Sequence, residues 1–415
     1  MSPIPRDPSA DSTFALLSEG YTFISARCRR YQSDLFETRL MLRRAVCMLG
    51  EEAAREFYVP GRFTRRGAIP QTALRSLQDV GSVATLDADA HRRRKAMFMA
   101  LMTPAALARL SDLMADEWRV AVARWARVRE VVLFDAAREV LTRAVCRWAG
   151  VSFSDAEARE RTREFGAMID GAGAVGPRNW RGLVLRRRTE RWARDVVTRV
   201  RARQLAVPEE SAVHVIAAYR DGDGRLLDPN VAAVELLNVL RPTVAVDRYV
   251  TFAALALHAY PACRARLAAG DDAYREWFVQ EVRRFYPFFP AVGGRVLEPF
   301  DWRGHHFAEG TWVLLDLYGT NHDARAWPEP EAFRPERFGA WDGSAFDFIP
   351  QGGGDHFVNH RCAGEWITIA LMQQAVRLLT TGMRYDVPAQ DLRVDLARMP
   401  AIPRSRFVIA GVRPA

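Results

Sequence analysis

The sequence predicts a mainly α fold, a large helical domain carrying a small β-rich portion. Three observations predict it. Apolar residues recur at helical spacing through most of the first two-thirds of the chain. From Tyr286 the texture changes to short β-like runs bounded by glycine and proline. No internal repeat and no Ser/Gly linker divides the 415 residues, so 1–415 reads as one domain, with 1–20 an irregular N-terminal segment.

The elements follow in order. Met97–Leu113 repeats apolar residues at helical spacing, and Asp116–Arg129 and Asp135–Trp148 do the same. Ser154 followed by Glu157 is a capping box opening a helix through Phe165. Arg186–Gln204 is an Arg/Glu-laced helix with a solvated outer face. Val231–Tyr260 is a long apolar stretch interrupted by Pro242, which removes an amide and clashes with the preceding turn, so a central helix irregular at that point is expected. Val292–Val296, Trp312–Leu317 and Arg406–Val412 read as strands, and Trp327–Phe338 as Pro-rich coil. Gln351–Arg361 is a Gly-rich loop, and Gly364–Leu379 is an apolar helix behind it.

Composition narrows the class. The chain is 49% hydrophobic and 26% charged, ordinary for a globular protein and neither collagenous nor low-complexity. The formal charge is +9, and Lys95 is the single lysine, so 58 of the 59 basic residues are arginine. A basic balance admits nucleic acid, membrane or acidic ligands, but no nucleic-acid recognition motif accompanies it. Cys28, Cys47, Cys146, Cys263 and Cys362 are odd in number and unpaired in spacing, which fits a reducing cytoplasm rather than a disulfide framework. Met1–Gly20 lacks the apolar core of a signal peptide, and no run of about 18 apolar residues predicts a membrane helix.

Two constellations carry chemistry. The first runs Phe348-Ile-Pro-Gln-Gly-Gly-Gly354 to His360-Arg361-Cys362-Ala363-Gly364 and into a helix. A cysteine at a helix N-terminus is favoured as a thiolate, and glycines let the loop lie close to a flat ligand. A thiolate with backbone hydrogen bonds suits a haem iron that must cleave an O–O bond. A buried structural cysteine is the plain alternative. A metal site from His356, His360 and Cys362 lacks a fourth ligand, and a phosphate loop at Gly352–Gly354 lacks the Walker lysine. The second constellation is Glu281-Val-Arg-Arg284 with Pro335-Glu-Arg337-Phe338 some fifty residues on. Glu281 and Arg284 share a helix face, and Arg337 can close a three-residue network.

With both constellations in this order, the chain resembles the cytochrome P450 superfamily. It is most similar to the fatty-acid peroxygenase branch, whose hydrogen-peroxide-dependent members hydroxylate or decarboxylate acids. The carriers of that closer likeness are Phe348–Gly354, His360–Cys362, Leu314-Leu-Asp-Leu-Tyr-Gly-Thr-Asn-His322 and Arg241-Pro242, and it runs from about Phe23 to the C-terminus. The resemblance implies the P450 fold and haem b, with Cys362 as the axial thiolate ligand of the iron. It implies that Glu281, Arg284 and Arg337 form the structural network behind the haem. It also implies that His360, His91 and Lys95, with Arg66 and Arg295 as weaker candidates, hold the haem propionates.

In an ordinary oxygen-activating P450 the central helix carries an acid–alcohol pair. Here that place reads Leu240-Arg241-Pro242-Thr243. The resemblance implies that Arg241 and Pro242 are the catalytic pair, Arg241 pairing with a substrate carboxylate that then serves as general acid–base for peroxide cleavage. The implied partners are a carboxylic acid and hydrogen peroxide, with no redox partner required. The chain departs from the branch at the pocket. Ala84 aligns with a Gln or His, and Gln78, Ala172 and Ala291 align with bulky aromatics. An aromatic buries roughly 150–250 Å², so a widened pocket and a bulkier acid than a linear fatty acid are expected, with Phe288, Phe289 and Trp180 as further candidate lining. Hydroxylation near the carboxylate is expected ahead of alkene-forming decarboxylation. A redox-partner-dependent monooxygenase is the nearest rival, and a non-catalytic haem protein a more distant one.

Overall fold

The computed structural model describes residues 4–70, 74–75, 77 and 81–415. Its core is built around two consecutive helices, Pro229–Val244 and Asp247–Ala259. Nearly every side chain of the second is buried, and the first is buried along most of its length, a few buried charged residues among them. Leu133–Ala149, Pro177–Arg201, Asp272–Phe285 and Glu365–Arg377 pack around this pair.

The strands are β1 (Leu35–Leu40), β2 (Arg43–Met48), β3 (Phe63–Thr64), β4 (Glu130–Val132), β5 (Ala291–Val296), β6 (Phe300–Trp302), β7 (His305–Phe307), β8 (Trp312–Asp316), β9 (Met383–Asp386) and β10 (Val408–Pro414). The main sheet has the order β1-β2-β8-β5-β3, with β2 and β8 parallel and the other neighbours antiparallel. Leu35, Val46, Val313, Leu315 and Val296 of this sheet share an apolar cluster with Ile349. The sheet therefore seats the start of the Gly-rich loop.

The irregularity in the central helix falls beyond Pro242. Pro242 lies inside Pro229–Val244, and the chain breaks at Ala245 and Val246, where Val246 N–H bonds back to Thr243 rather than Pro242. A buried ion cluster sits directly after the break. Asp247 opens the second helix, fully buried, and accepts from Arg138 Nε at 2.6 Å. Arg138 and Arg248 both reach Asp170, so three helices meet at one buried ion cluster. An acid in a first turn also suits the helix dipole.

Other boundaries differ as well. Met97–Leu113 is not one helix. Ala88–Met99 ends, Thr103 caps a new helix through its Oγ1 (3.2 Å from Ala106 N), and Pro104 takes the first position. That second helix runs Pro104–Trp125 and absorbs most of Asp116–Arg129. The capping box of Ser154 and Glu157 is present and opens Asp155–Gly171. Within 1–20, Thr13–Glu19 is helical, held by Leu16 N–H on the Ser12 carbonyl. Among the described residues no single helix is long and apolar enough to cross a membrane.

Candidate functional site

Cys362 stands three residues before the helix Glu365–Arg377. Its N–H bonds to Gln351 O at 3.1 Å, and Gln351 Nε2 lies 3.8 Å from its sulfur. Gly352 and Gly354 have φ of +93° and +78°, so the loop turns where an L side chain would be strained. Burial pushes the Cys362 thiol up and Glu365 adds to this, against the pull of Lys95 and the Gly364 amide. The helix N-terminus alone therefore does not make this sulfur a thiolate, and a bound cation would have to. The other four cysteines are raised as well, chiefly by burial.

A network that the sequence reading missed braces this loop. Glu365, buried, accepts from Arg361 Nε at 2.7 Å, contacts His356 Nε2 at 2.9 Å and pairs with Arg283. Burial alone would raise its carboxyl, but Arg283, His356 and Arg361 hold it well below the usual range. His356 is thus engaged with Glu365, and among the described residues no His/Cys/Asp/Glu group is arranged to hold a metal ion unaided.

Glu281 and Arg284 pair through two contacts, and Arg337 Nε approaches Glu281 Oε2 at 3.3 Å. Arg284 also donates to the carbonyls of Asn321 and Pro330, each at 3.0 Å. Arg337 donates to the Pro328 carbonyl and the Ala332 carbonyl, both at 3.0 Å. The helix Asp272–Phe285 is thereby clamped to the coil that leads to the cysteine loop.

Beside that loop lies a buried basic cluster. The rings of His91 and His360 contact each other at a tilt of 36°, with centroids 3.9 Å apart. Lys95 Nζ donates to the carbonyls of Asn359 (3.2 Å) and Arg361. Burial, with neighbouring positive charge, brings His91 down to about 4 and His360 well below its usual value. Burial also brings Lys95 down to about 8. Arg65 belongs to the same cluster. It is buried, donates to Gly293 O, packs over the Phe57 ring at 4.6 Å and bears on both histidines. Arg66 and Arg295 do not join it. Arg66 is 67% exposed at its side chain and bonds Thr85 O. Arg295 is held at the surface by Gly67 O and Gly310 O. The chain turns directly after β3, leaving Arg65 buried and Arg66 exposed.

Arg241 is 4% exposed on the central helix. Its Nη2 lies 3.4 Å from Asn238 Oδ1, and its Nη1 has no partner among the described residues. Burial, with the positive charge of Arg186, drives its pKa well below the usual value. Thr243 Oγ1 donates to Val239 O at 2.8 Å, tied to its own helix. Ala84 is half-buried in the turn Val83–Thr85, Ala172 is buried and Ala291 is half-buried at the head of β5. Gln78 lies outside the described residues. Trp180 is 64% exposed and Phe289 43%, because each stands at an element boundary facing out, so neither is core lining. Phe288 stacks on Tyr249 at 4.3 Å.

Comparisons with known proteins place this arrangement. The Cytochrome P450 family model matches residues 273–392. Cytochrome P450 4A7 of Oryctolagus cuniculus and Cytochrome P450 4A11 of Homo sapiens are each 32% identical over 140 residues, 33% of this chain. Those matches span about a quarter of the relatives' own length, 25% and 24%. Solved structures match end to end. Cytochrome P450SP alpha (CYP152B1) in complex with (R)-ibuprophen is 49% identical with a TM-score of 0.96, over 98% of this chain and 100% of that one. The chain belongs to the cytochrome P450 superfamily, in its fatty-acid peroxygenase branch. Cytochrome P450EX alpha (CYP152N1) with myristic acid is 43% identical with a TM-score of 0.97 over the whole of both chains. A variant of cytochrome P450 OleT in complex with arachidonic acid is 35% identical with a TM-score of 0.97, over 100% of this chain and 99% of that one.

This P450 is a haem-thiolate oxidoreductase, and its cofactor is haem b. The residues present fit that group. A sulfur sits at a helix start within reach of the Gly364 amide. Beside it, four basic side chains gather in a buried place that lowers the pKa of each, and an anion would relieve this. Arg65, Glu365, Arg283 and Gln351 escaped the sequence reading. Arg65 and Arg66 are separated only by the turn after Phe63–Thr64, and Arg283 and Glu365 become neighbours only through packing.

Proposed function

We propose that this P450 is a peroxygenase that uses hydrogen peroxide to hydroxylate a carboxylic acid near its carboxylate, with Arg241 as the anchor. One observation carries the reading: a buried guanidinium on the central helix with Nη1 unpaired among the described residues. A buried charge left unpaired is costly, and a ligand carboxylate would supply the missing partner. A carboxylate held there stays ionised beside the guanidinium. It can take a proton and return it beside Arg241, where Thr243 has its hydroxyl committed to Val239. Pro242 stiffens the turn that presents Arg241.

Cys362 would hold the iron, and Arg65, His91, Lys95 and His360 would face the propionates. When bound, the haem supplies peroxide cleavage and oxygen transfer, favoured by thiolate donation. Glu281, Arg284 and Arg337 keep the cysteine loop in place. Three structural neighbours are described as complexes with acids, and one of these, (R)-ibuprophen, is aromatic and branched. That supports the reading of a widened pocket at Ala84, Ala172 and Ala291 that takes acids bulkier than a linear chain. Ala84 offers no side-chain proton, which supports hydroxylation over decarboxylation.

The test is peroxide-driven turnover of myristate and of ibuprofen, with products identified by mass. Arg241→Leu is expected to abolish acid-dependent turnover. Product formation that requires a ferredoxin and reductase and is absent with peroxide would sink the peroxygenase reading.

A further inference from the structure

Behind Arg241 buried and half-buried polar side chains form one connected chain that ends at the surface. Glu235 stands six residues before Arg241 on the same helix and is fully buried. Its Oε1 accepts from Arg94 Nη1 at 2.8 Å and from the Val83 N–H at 2.9 Å. Its Oε2 accepts from Asn238 Nδ2 at 3.0 Å, and Asn238 Oδ1 faces Arg241 Nη2 at 3.4 Å. Arg94 Nη2 meets Asp221 Oδ2 at 2.7 Å, beside a surface cleft of about 350 Å³ bordered by Gly81, Leu86 and Val231.

The order of donors and acceptors in this chain has a direction. A carboxylate only accepts, so Glu235 turns the NH₂ of Asn238 toward itself and the amide oxygen toward Arg241. That oxygen engages Nη2, and Nη1 is left open. The same carboxylate holds the Val83 N–H, and Val83 begins the turn that contains Ala84. An Arg–Glu pair made for stability alone needs neither link, and buried pairs add little stability over apolar residues of the same size.

We propose that Glu235 is the positioning residue of the acid site: through Asn238 it aims Arg241, and through Val83 it sets the Ala84 turn, with Arg94 as its buried counter-ion. The proposal rests on the reading of Arg241 as acid anchor. It assigns Glu235 no contact with substrate.

The test uses the haem-loaded protein, titrated calorimetrically with myristate and with methyl myristate. Glu235→Gln keeps the volume but puts an NH₂ where Oε2 stood. Two donors then face each other, and Asn238 must turn its own NH₂ toward Arg241. Myristate affinity is expected to fall about tenfold, as for one hydrogen bond to a charged group, while the ester changes less than about twofold. Asn238→Ala leaves Arg94, Glu235 and Val83 in place. It is expected to lose the same acid-over-ester preference while still folding, at a somewhat lower melting temperature because Glu235 Oε2 loses its donor, and it carries the test if Glu235→Gln folds poorly. An acid-over-ester preference kept in Asn238→Ala but lost in Arg241→Leu overturns this inference alone. A preference kept in Arg241→Leu overturns the anchor reading and this inference with it.

Discussion

Glu281 and Arg284 meet in a two-pronged pair at 2.7 and 2.8 Å, with neither side chain exposed. Such a pair contributes modestly while intact, but either half left alone is a buried, uncompensated charge. Arg284→Ala also strips donors from Asn321 O and Pro330 O. The expected cost is about 3–5 kcal/mol, read by urea unfolding, together with poor haem retention. Arg119→Ala breaks an exposed pair with Asp116 and is the control. It is expected to cost less than about 0.5 kcal/mol.

Cys362→Ser should abolish the thiolate signature of the reduced carbon monoxide adduct, since an alcohol is a poor donor to iron beside a thiolate. Cys263→Ser should retain it. Cys263 is half-buried and occupied with the Tyr274 hydroxyl at 3.1 Å, so it is the cysteine whose loss tests general thiol effects. A thiolate spectrum surviving in Cys362→Ser overturns the ligand assignment.

How much of this was legible in the chain depends on sequence distance. The capping box of Ser154 and Glu157 is four residues long, and it was readable because its physics is local. Glu281 and Arg284 lie one turn apart, so their pairing was readable too. The irregularity of the central helix was readable from Pro242 but not its place after Val244, nor the ion cluster of Arg138 and Asp170, each distant in sequence, on Asp247 and Arg248. Composition treats the adjacent Arg65 and Arg66 alike, whereas the turn after β3 buries the first and exposes the second. Glu235 and Arg94 are 141 residues apart, and no spacing rule joins them.

Asp316 supplies a pH prediction away from the haem. It is fully buried where β8 ends, caps Gly319 N–H at 2.7 Å, and burial pushes its carboxyl up to about 7. A carboxyl raised in the folded state favours folding while protonated, so its contribution is full at low pH and is lost as pH rises toward 7. Between about pH 5 and about pH 8 the loss is about 2–3 kcal/mol. Asp316→Asn stays neutral throughout. Urea unfolding of parent and variant across this range should therefore show a flatter profile for Asp316→Asn, and parallel profiles would show that Asp316 does not titrate there.

The last prediction concerns the turn Val83–Thr85. Ala84 has no group that can exchange a proton, while Glu235 pins the neighbouring Val83 N–H and so fixes where a longer side chain at 84 would point. Ala84→His adds an imidazole that titrates near neutrality. Loss of carbon dioxide in place of hydroxyl return leaves the transferred oxygen to depart as water, which takes up a proton, and a protonated imidazole held beside the anchored carboxylate would supply it. Peroxide turnover of myristate by Ala84→His should therefore raise the ratio of terminal alkene to hydroxy acid several-fold, read by product mass. The combination with Glu235→Gln should raise it less, because the turn is then no longer tied to the helix that carries Arg241. An unchanged ratio in the single variant would mean that position 84 does not face the reacting carbons, and an equal rise in the double variant would mean that Glu235 does not set the turn.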